Sequence, residues 1–483
     1  MKKDKAYIHS QLCAGCSVCV ETCPTDCIRI EDPKFHGDIH TVAIVDKEKC
    51  IGCGLCAKAC PIEAIEMHRG KEVACMIQKK LSFETIGCRA FQTVMKFGMY
   101  VLPWGIPKVL KGPGAVKRLP EAIMRKKYRK PLIVTDQMLM KIHLLDGMLE
   151  MMDKVGLEYA IYDGVLPNPT DTNIEEGAAV YRENHCDCLI AFGGGSPMDC
   201  AKGIGARIAR PHKKINRMQG LFGVLRPIPR IFAVPTTAGT GSETTIAAVI
   251  TEASTHHKAS MNDLCLMPKY AVLDPELTVG LPPHITATTG MDALCHAVEA
   301  YTNNTYNSRM EKKLCKMAVK LIYKNLHLIY VHGNNLKGRE NMQKAAFYAG
   351  RAFTRGCVGY VHAIGHTLGG LYGTPHGLAM AILLPHVMRA YGEAAYDRLA
   401  ELCDVCGIKS ADDTNKAKAE AFIRWIEDLK EKMDIPVYLP VLKDEDVDQI
   451  VEWAHKEGNP LYPTPVTWSK ADFKNFILSL KES

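Results

Sequence analysis

The stretch Cys188-Leu-Ile-Ala-Phe-Gly-Gly-Gly-Ser-Pro-Met-Asp-Cys-Ala-Lys202 sets the architecture of most of this chain. Its first five residues form an apolar run of strand length that glycine cuts off at once. Gly193, Gly194 and Gly195 allow backbone angles that other residues resist and let a ligand approach closely. Ser196 suits an N-cap, Pro197 the first helical position, and Asp199 the third, where its carboxylate would close a capping box. A helix that opens above a strand points unpaired N–H groups at a spot suited to a pyrophosphate. The run is not a G-x-G-x-x-G fingerprint, because Met198 stands at the third glycine, and it lacks the Gly-Lys-Ser/Thr end of a P-loop. Alone, it fits a ligand-free turn nearly as well.

Residues 131–135 and 231–234 read as two further buried strands. The second leads into Pro235-Thr-Thr-Ala-Gly-Thr-Gly-Ser-Glu243, a loop rich in hydroxyls and small side chains. Two such loops at the carboxyl ends of parallel strands make a dinucleotide crevice. Asp136 ends strand 131–135, where its carboxylate would bond an adenosine ribose and repel a 2′-phosphate, favouring NAD over NADP; a simple turn-forming role also fits it. Residues 105–280 are thus expected to form an α/β, Rossmann-like, doubly wound nucleotide domain. From Pro282 onward helical patterns dominate, so residues 281–483 read as an all-α domain.

Upstream, Cys13, Cys16, Cys19 and Cys23 precede Pro24, and Cys50, Cys53, Cys56 and Cys60 precede Pro61. Both read C-x-x-C-x-x-C-x-x-x-C-P. Three short steps let one loop wrap three corners of a cubane, and in two-cluster ferredoxins the fourth cysteine serves the other cluster. We expect one [4Fe-4S] cluster on Cys13, Cys16, Cys19 and Cys60, and a second on Cys50, Cys53, Cys56 and Cys23. Zinc sites use cysteine pairs rather than this triple-plus-one run. Residues 1–68 read as a small α+β, ferredoxin-like head with a short strand behind each motif. Residues 69–104 read as a basic helical linker with Met76, Ile77, Leu81, Ile86, Phe91, Val94 and Met95 at helical spacing, facing the second part of the chain.

The chain's 483 residues suggest about three domains, and 47% hydrophobic with 23% charged residues fit a full core. There is no apolar leader and no run long enough to span a membrane. Many thiols beside oxygen-sensitive clusters point to a reducing cytoplasm, as in an anaerobe. Residues 71–130 hold 14 Lys and Arg against three acids. Without aromatic interleaving this reads as a solvated face, with docking of an acidic redox partner as the alternative and nucleic acid excluded. Cys403 and Cys406 form a C-x-x-C, read as two packed thiols rather than a redox pair.

Asp292 and His296 stand four apart on an expected helix, as do His362 and His366, and His376 follows. A carboxylate and several imidazoles in this pattern suit Fe²⁺ or Zn²⁺ with one position open to substrate. Residues 105–460 then resemble the iron-containing (group III) alcohol dehydrogenases, through GGGSPMDCAK at 193–202, PTTAGTGSE at 235–243, DPELTVGLPP at 274–283, GMDALCHAVEAY at 290–301 and the 362–377 histidines. The resemblance implies an α/β nucleotide domain followed by a helical metal domain. It implies metal ligation by Asp292, His296, His362 and His376, with His366 near the nicotinamide but not a ligand. It implies NAD contacts from Asp136, Asn168, Gly194, Gly195, Ser196, Thr236, Thr237, Thr240 and Lys258.

The expected reaction is reversible hydride transfer between NAD(H) and a primary alcohol/aldehyde pair, with His366 as proton relay. A homo-oligomer is expected. Two departures stand out: the family has no cluster head, and Arg355 stands where common members are uncharged. Arg355 could meet a negatively charged aldehyde or pair with a nearby acid. Clusters pass single electrons, whereas NAD takes a hydride. No flavin site is evident, so the head suggests a wire to a flavoprotein or ferredoxin partner, a docking module or a structural appendage. The alternatives are a glycerol-dehydrogenase-like or dehydroquinate-synthase-like zinc enzyme, and an electron carrier with a non-catalytic dehydrogenase part.

Overall fold

The structure, a computed structural model, describes residues 5–8, 16–31, 42–46, 49–61, 65–68, 82–253, 258–303, 305–439 and 442–480. The chain divides into two compact units, Met1–Ala74 and Cys75–Ser483.

In the first unit Lys5–Ile8 pairs antiparallel with Ile65–His68, and Ile28–Glu31 with Val42–Val45. A one-turn helix lies inside each cysteine motif: Val18–Glu21 carries Cys19, and Leu55–Ala59 carries Cys56. The short strands expected behind the motifs are Ile28–Glu31 and Ile65–His68. Among the described residues half of this core is cysteine: Cys19, Cys27, Cys50 and Cys56 beside Ala6, Ile28, Ala43 and Ile65. A core so rich in thiols gains stability from ligation.

The second unit is built on a six-stranded, wholly parallel sheet. Its order is Lys108–Lys111, Tyr270–Leu273, Arg230–Pro235, Cys188–Gly193, Pro131–Val134, Ala160–Tyr162. Alternation sorts its side chains. Ile133, Ile190, Phe232 and Val272 face one core with Leu119, Ile123, Met148 and Met152. Leu132, Val134, Leu189, Ala191, Ile231 and Ala233 face the other with Ile174, Ala178, Ala201 and Ile204. Helices thus cover both faces, which is why the central strands are apolar at every position but Arg230, the exposed first residue of its strand. A smaller sheet, unexpected from sequence, pairs Ala247–Thr251 with Lys258–Asn262 and the latter with Gly220–Leu221.

The strand-to-helix turn begins earlier than its residues suggested. Gly194 is the N-cap and the helix runs Gly195–Ala209, so Ser196 and Pro197 lie within its first turn. Asp199 does not close a capping box: its carboxylate accepts from Ser242 Oγ at 2.9 Å and from the Val249 N–H at 3.0 Å. The reason is the neighbouring loop. A Cβ on Gly195 would lie 2.9 Å from Thr240 Cγ2, so glycine lets that loop close over the helix start.

Among the described residues no strand follows Leu273. Nine helices follow, from Pro283–Thr302 to Lys470–Ser479. Fifteen residues of Pro283–Thr302 are buried, which marks it as the central helix of this layer. The linker forms a helix, Phe83–Val101, capped by Ser82 Oγ accepting from the Thr85 N–H. Its inward face differs from the one expected. Cys88, Gln92 and Met99 are buried, while Ile86, Phe91 and Val94 are exposed; Met76, Ile77 and Leu81 lie outside the described residues. Polar anchoring decides the face. Gln92 Nε2 donates to the carbonyls of Pro460 and Tyr462, and Arg89 Nη2 to those of Thr464 and Pro465. Cys403 and Cys406 are buried core thiols on one helix. No described helix is long and apolar enough to cross a membrane.

Candidate functional site

Helix Pro283–Thr302 supplies Asp292 and His296, helix Tyr360–Tyr372 supplies His362, and His376 opens the next helix. One donor atom from each of these four lies within 4.8 Å of the others. Asp292 Oδ1 stands 3.4 Å from His376 Nε2, 3.7 Å from His296 Nδ1 and 3.9 Å from His362 Nε2. Asp292 Oδ1, His296 Nδ1 and His362 Nε2 are buried and have no hydrogen-bond partner. Leaving such atoms orphaned costs about 1–3 kcal/mol each. Convergence of one carboxylate and three imidazoles relieves that cost by holding a divalent cation, so the donor set fits Fe²⁺ or Zn²⁺. Burial pushes His296 down to about 3 and holds His362 and His376 far below the ordinary imidazole value. All three rings are neutral at pH 7, the form that ligates.

Sequence reading missed the group behind His362. Glu299 Oε2 lies 2.5 Å from His362 Nδ1, while Oε1 accepts the Val361 N–H at 2.8 Å. Such a carboxylate fixes the ring's orientation and leaves Nε2 for the ion. Burial pushes the Glu299 carboxyl up to about 8. The signal was available, since residues 292, 296 and 299 share one helix face. Phe353, also missed, stacks on His296 with centroids 4.1 Å apart.

His366 stands beside this cluster without joining it. Its ring stacks on His376 at 5.3 Å, and its Nδ1 lies 2.7 Å from Glu457 Oε1, which also accepts from Tyr462 Oη at 2.9 Å. Glu457 lies 91 residues downstream, and no local pattern pointed to it.

His296, His362, His366 and His376 line a cavity of about 330 Å³ together with Asn168, Gly195, Ser196, Thr240 and Lys258. The glycine turn and the histidine cluster therefore face one space. Gly194, Thr236, Thr237 and Asp136 do not line it. The Thr236 N–H donates to the Gly193 carbonyl at 3.1 Å, tying the two loops together, and Thr237 packs on Gly194. Asp136 caps a short helix by accepting from the Leu139 N–H at 3.0 Å, the plain turn role. Asn168 accepts from Lys258 Nζ at 2.9 Å, and burial lowers the Lys258 pKa. Lys202, which had no role in the sequence reading, is fully buried. Its Nζ lies within 2.8 Å of Ser242 O, Ser242 Oγ and Thr245 Oγ1, holding the second loop in place.

Arg355 takes the bland alternative. Its Nη1 stands 3.7 Å from Glu311, its guanidinium lies over the Tyr100 ring, and it does not line the cavity. In the first unit Cys50, Cys53, Cys56 and Cys23 line one small cavity, with Cys27 beside Cys23. Cys16 is exposed, Cys19 buried and Cys60 half-buried; Cys13 lies outside the described residues.

Residues 107–275 match the family model of iron-containing alcohol dehydrogenase, and 286–480 that of the C-terminal part of the Fe-containing alcohol dehydrogenase family. Residues 12–79 match a 4Fe-4S dicluster domain. The 1,3-propanediol dehydrogenase of Klebsiella pneumoniae is 40% identical over 353 residues, which is 72% of this chain and 90% of that protein. A crystal structure of 1,3-propanediol oxidoreductase superposes with TM-score 0.75 at 36% identity, covering 79% of this chain and all of the other. That of sulfoacetaldehyde reductase from Bifidobacterium kashiwanohense in complex with NAD⁺ gives TM-score 0.69 at 28% identity, covering 79% and 98%.

Proposed function

The chain belongs to the iron-containing alcohol dehydrogenase family, and from that premise we propose that it interconverts a primary alcohol and its aldehyde with NAD(H). One observation carries the reading: the glycine turn lines a single cavity with His296, His362 and His376, three of the four metal-type donors that converge with Asp292. Asp292, His296, His362 and His376 would hold the ion, Fe²⁺ or Zn²⁺. When bound, the ion supplies a Lewis acid that polarises the aldehyde oxygen. The helix N-terminus at Gly195 and Ser196 offers N–H groups to the pyrophosphate. Asn168, Thr240 and Lys258 orient the rest of the cofactor, with Gly194, Thr236 and Thr237 shaping the loops. Asp136 keeps its turn role and does not line the cavity, so the choice of NAD(H) does not rest on it. The NAD⁺ complex of the sulfoacetaldehyde reductase supports this choice.

In reduction, hydride passes from NADH to the carbonyl carbon and one proton reaches the oxygen. With its Nδ1–H donated to Glu457, His366 presents Nε2 to the cavity and relays that proton. In the head, Cys13, Cys16, Cys19 and Cys60 would carry one [4Fe-4S] cluster and Cys50, Cys53, Cys56 and Cys23 the other. The shared cavity of the second set supports the crossed pairing. The head would wire the enzyme to a one-electron partner in a reducing cytoplasm. Protein purified without oxygen, analysed for metal and assayed for aldehyde-dependent NADH oxidation, tests the reaction. Turnover that survives complete removal of the divalent ion would refute it.

A further inference from the structure

We propose that helix Phe83–Val101 and the turn behind it form the specificity wall of the catalytic cavity, binding the apolar substituent of the substrate. This rests on the alcohol/aldehyde reading and says which alcohols the site prefers. The wall belongs to neither matched region: the dicluster match ends at residue 79 and the dehydrogenase match begins at 107. Yet Met95, Met99, Leu102 and Trp104 line the same cavity as the four histidines. Cys88, Gln92, Met95 and Met99 fall at helical spacing on one face, with three of them buried and Met95 half-buried.

The wall is fixed in place. Gln92 and Arg89 are bonded to the backbone of the 460–465 segment, whose Leu461 and Tyr462 also line the cavity. Trp104 Nε1 donates to the Met99 carbonyl at 2.6 Å, which pins the turn. None of the four wall side chains is charged, and Arg355 is turned onto Glu311 and Tyr100. Thioethers on unbranched side chains adapt to aliphatic groups of varied shape. A substrate carbonyl at the histidine cluster would therefore extend its tail along Met95 and Met99.

The test compares hexanal with acetaldehyde as kcat/KM in wild type, Met95→Ala and Met95→Trp. Hexanamide and acetamide, unreactive analogues, are titrated calorimetrically into the same metal-loaded proteins. Removing the thioether, or filling its space with indole, should lower the long-to-short ratio by about tenfold. The KM for NADH should hold, and acetaldehyde serves as the internal reference of the ratio. A ratio within about twofold of wild type, or a raised one, in either variant overturns the proposal. Absence of aldehyde turnover in wild type would count against the reaction instead, and the amide titration would still decide the wall.

Discussion

Glu299 and His362 behave as one unit, because burial pushes the carboxyl up to about 8 and the imidazole well below its usual value. At pH 7 the metal-free pair carries no net charge and holds two protons, one shared between Glu299 and Nδ1 and one on Nε2. A divalent ion at Nε2 takes the place of the proton there and leaves the carboxylate against the Nδ1–H, so loading must expel one proton. Zn²⁺ titrations in buffers of different ionisation enthalpy should show about one proton released per ion at pH 7 and about half at pH 8, declining above. Glu299→Gln should release almost none, since the three imidazoles are already neutral, and should weaken binding by roughly 10–100-fold. Release of two or three protons would show the imidazoles to be charged beforehand. His366→Ala should keep the ion, by metal analysis, and lose roughly 10²-fold in kcat with a flattened pH profile. Unchanged turnover across pH would end its relay role. The ligand pattern was readable because i, i+4 spacing survives in sequence, and Glu299 completes it at i+7. Glu457 and Phe353 reach the site through tertiary packing, which spacing does not encode.

Among the elements, the most instructive is the 235–243 loop, read from its hydroxyls and small side chains as one side of a dinucleotide crevice. Gly241 has φ 60°, and a Cβ there would lie 2.7 Å from Gly350 Cα and 2.8 Å from the Ala346 carbonyl. Gly350 answers it: a Cβ there would lie 2.7 Å from the Gly241 carbonyl. These glycines let the loop touch helix Leu336–Gly356, which carries Phe353 behind His296. They join the α/β layer to the helical layer and do not line the cavity. Gly241→Ala forces backbone against backbone in a left-handed conformation and should cost about 2–4 kcal/mol. Its melting temperature should fall and NADH affinity weaken together; unaltered melting would mean the contact gives way freely. Strands 131–134, 188–193 and 230–235 were legible because both faces are buried and every residue but the exposed Arg230 is apolar. Lys108–Lys111 is an edge strand with lysine at both ends and carries no such signal.

At the scale of the whole molecule two chemistries share one chain. The cavity of the second unit handles electron pairs as hydride, and a dicluster match of the kind at residues 12–79 handles electrons singly. Hydride transfer and single-electron transfer need no shared group, so the two should fail independently. Cys16→Ala with Cys53→Ala should abolish the paramagnetic signal of dithionite-reduced clusters while NADH-dependent aldehyde reduction stays within about twofold of wild type, because hydride transfer from NADH to a carbonyl carbon needs no one-electron carrier. Stripping the divalent ion should do the reverse. The sharper expectation concerns NADH itself. Added to the purified chain without oxygen, it should leave the clusters oxidised, since a hydride donor lacks a stable one-electron state to feed them. Addition of a flavoprotein partner should produce the reduced-cluster signal. Rapid cluster reduction by NADH alone, seen by paramagnetic resonance in the isolated protein, would place an unrecognised two-to-one electron converter within this chain.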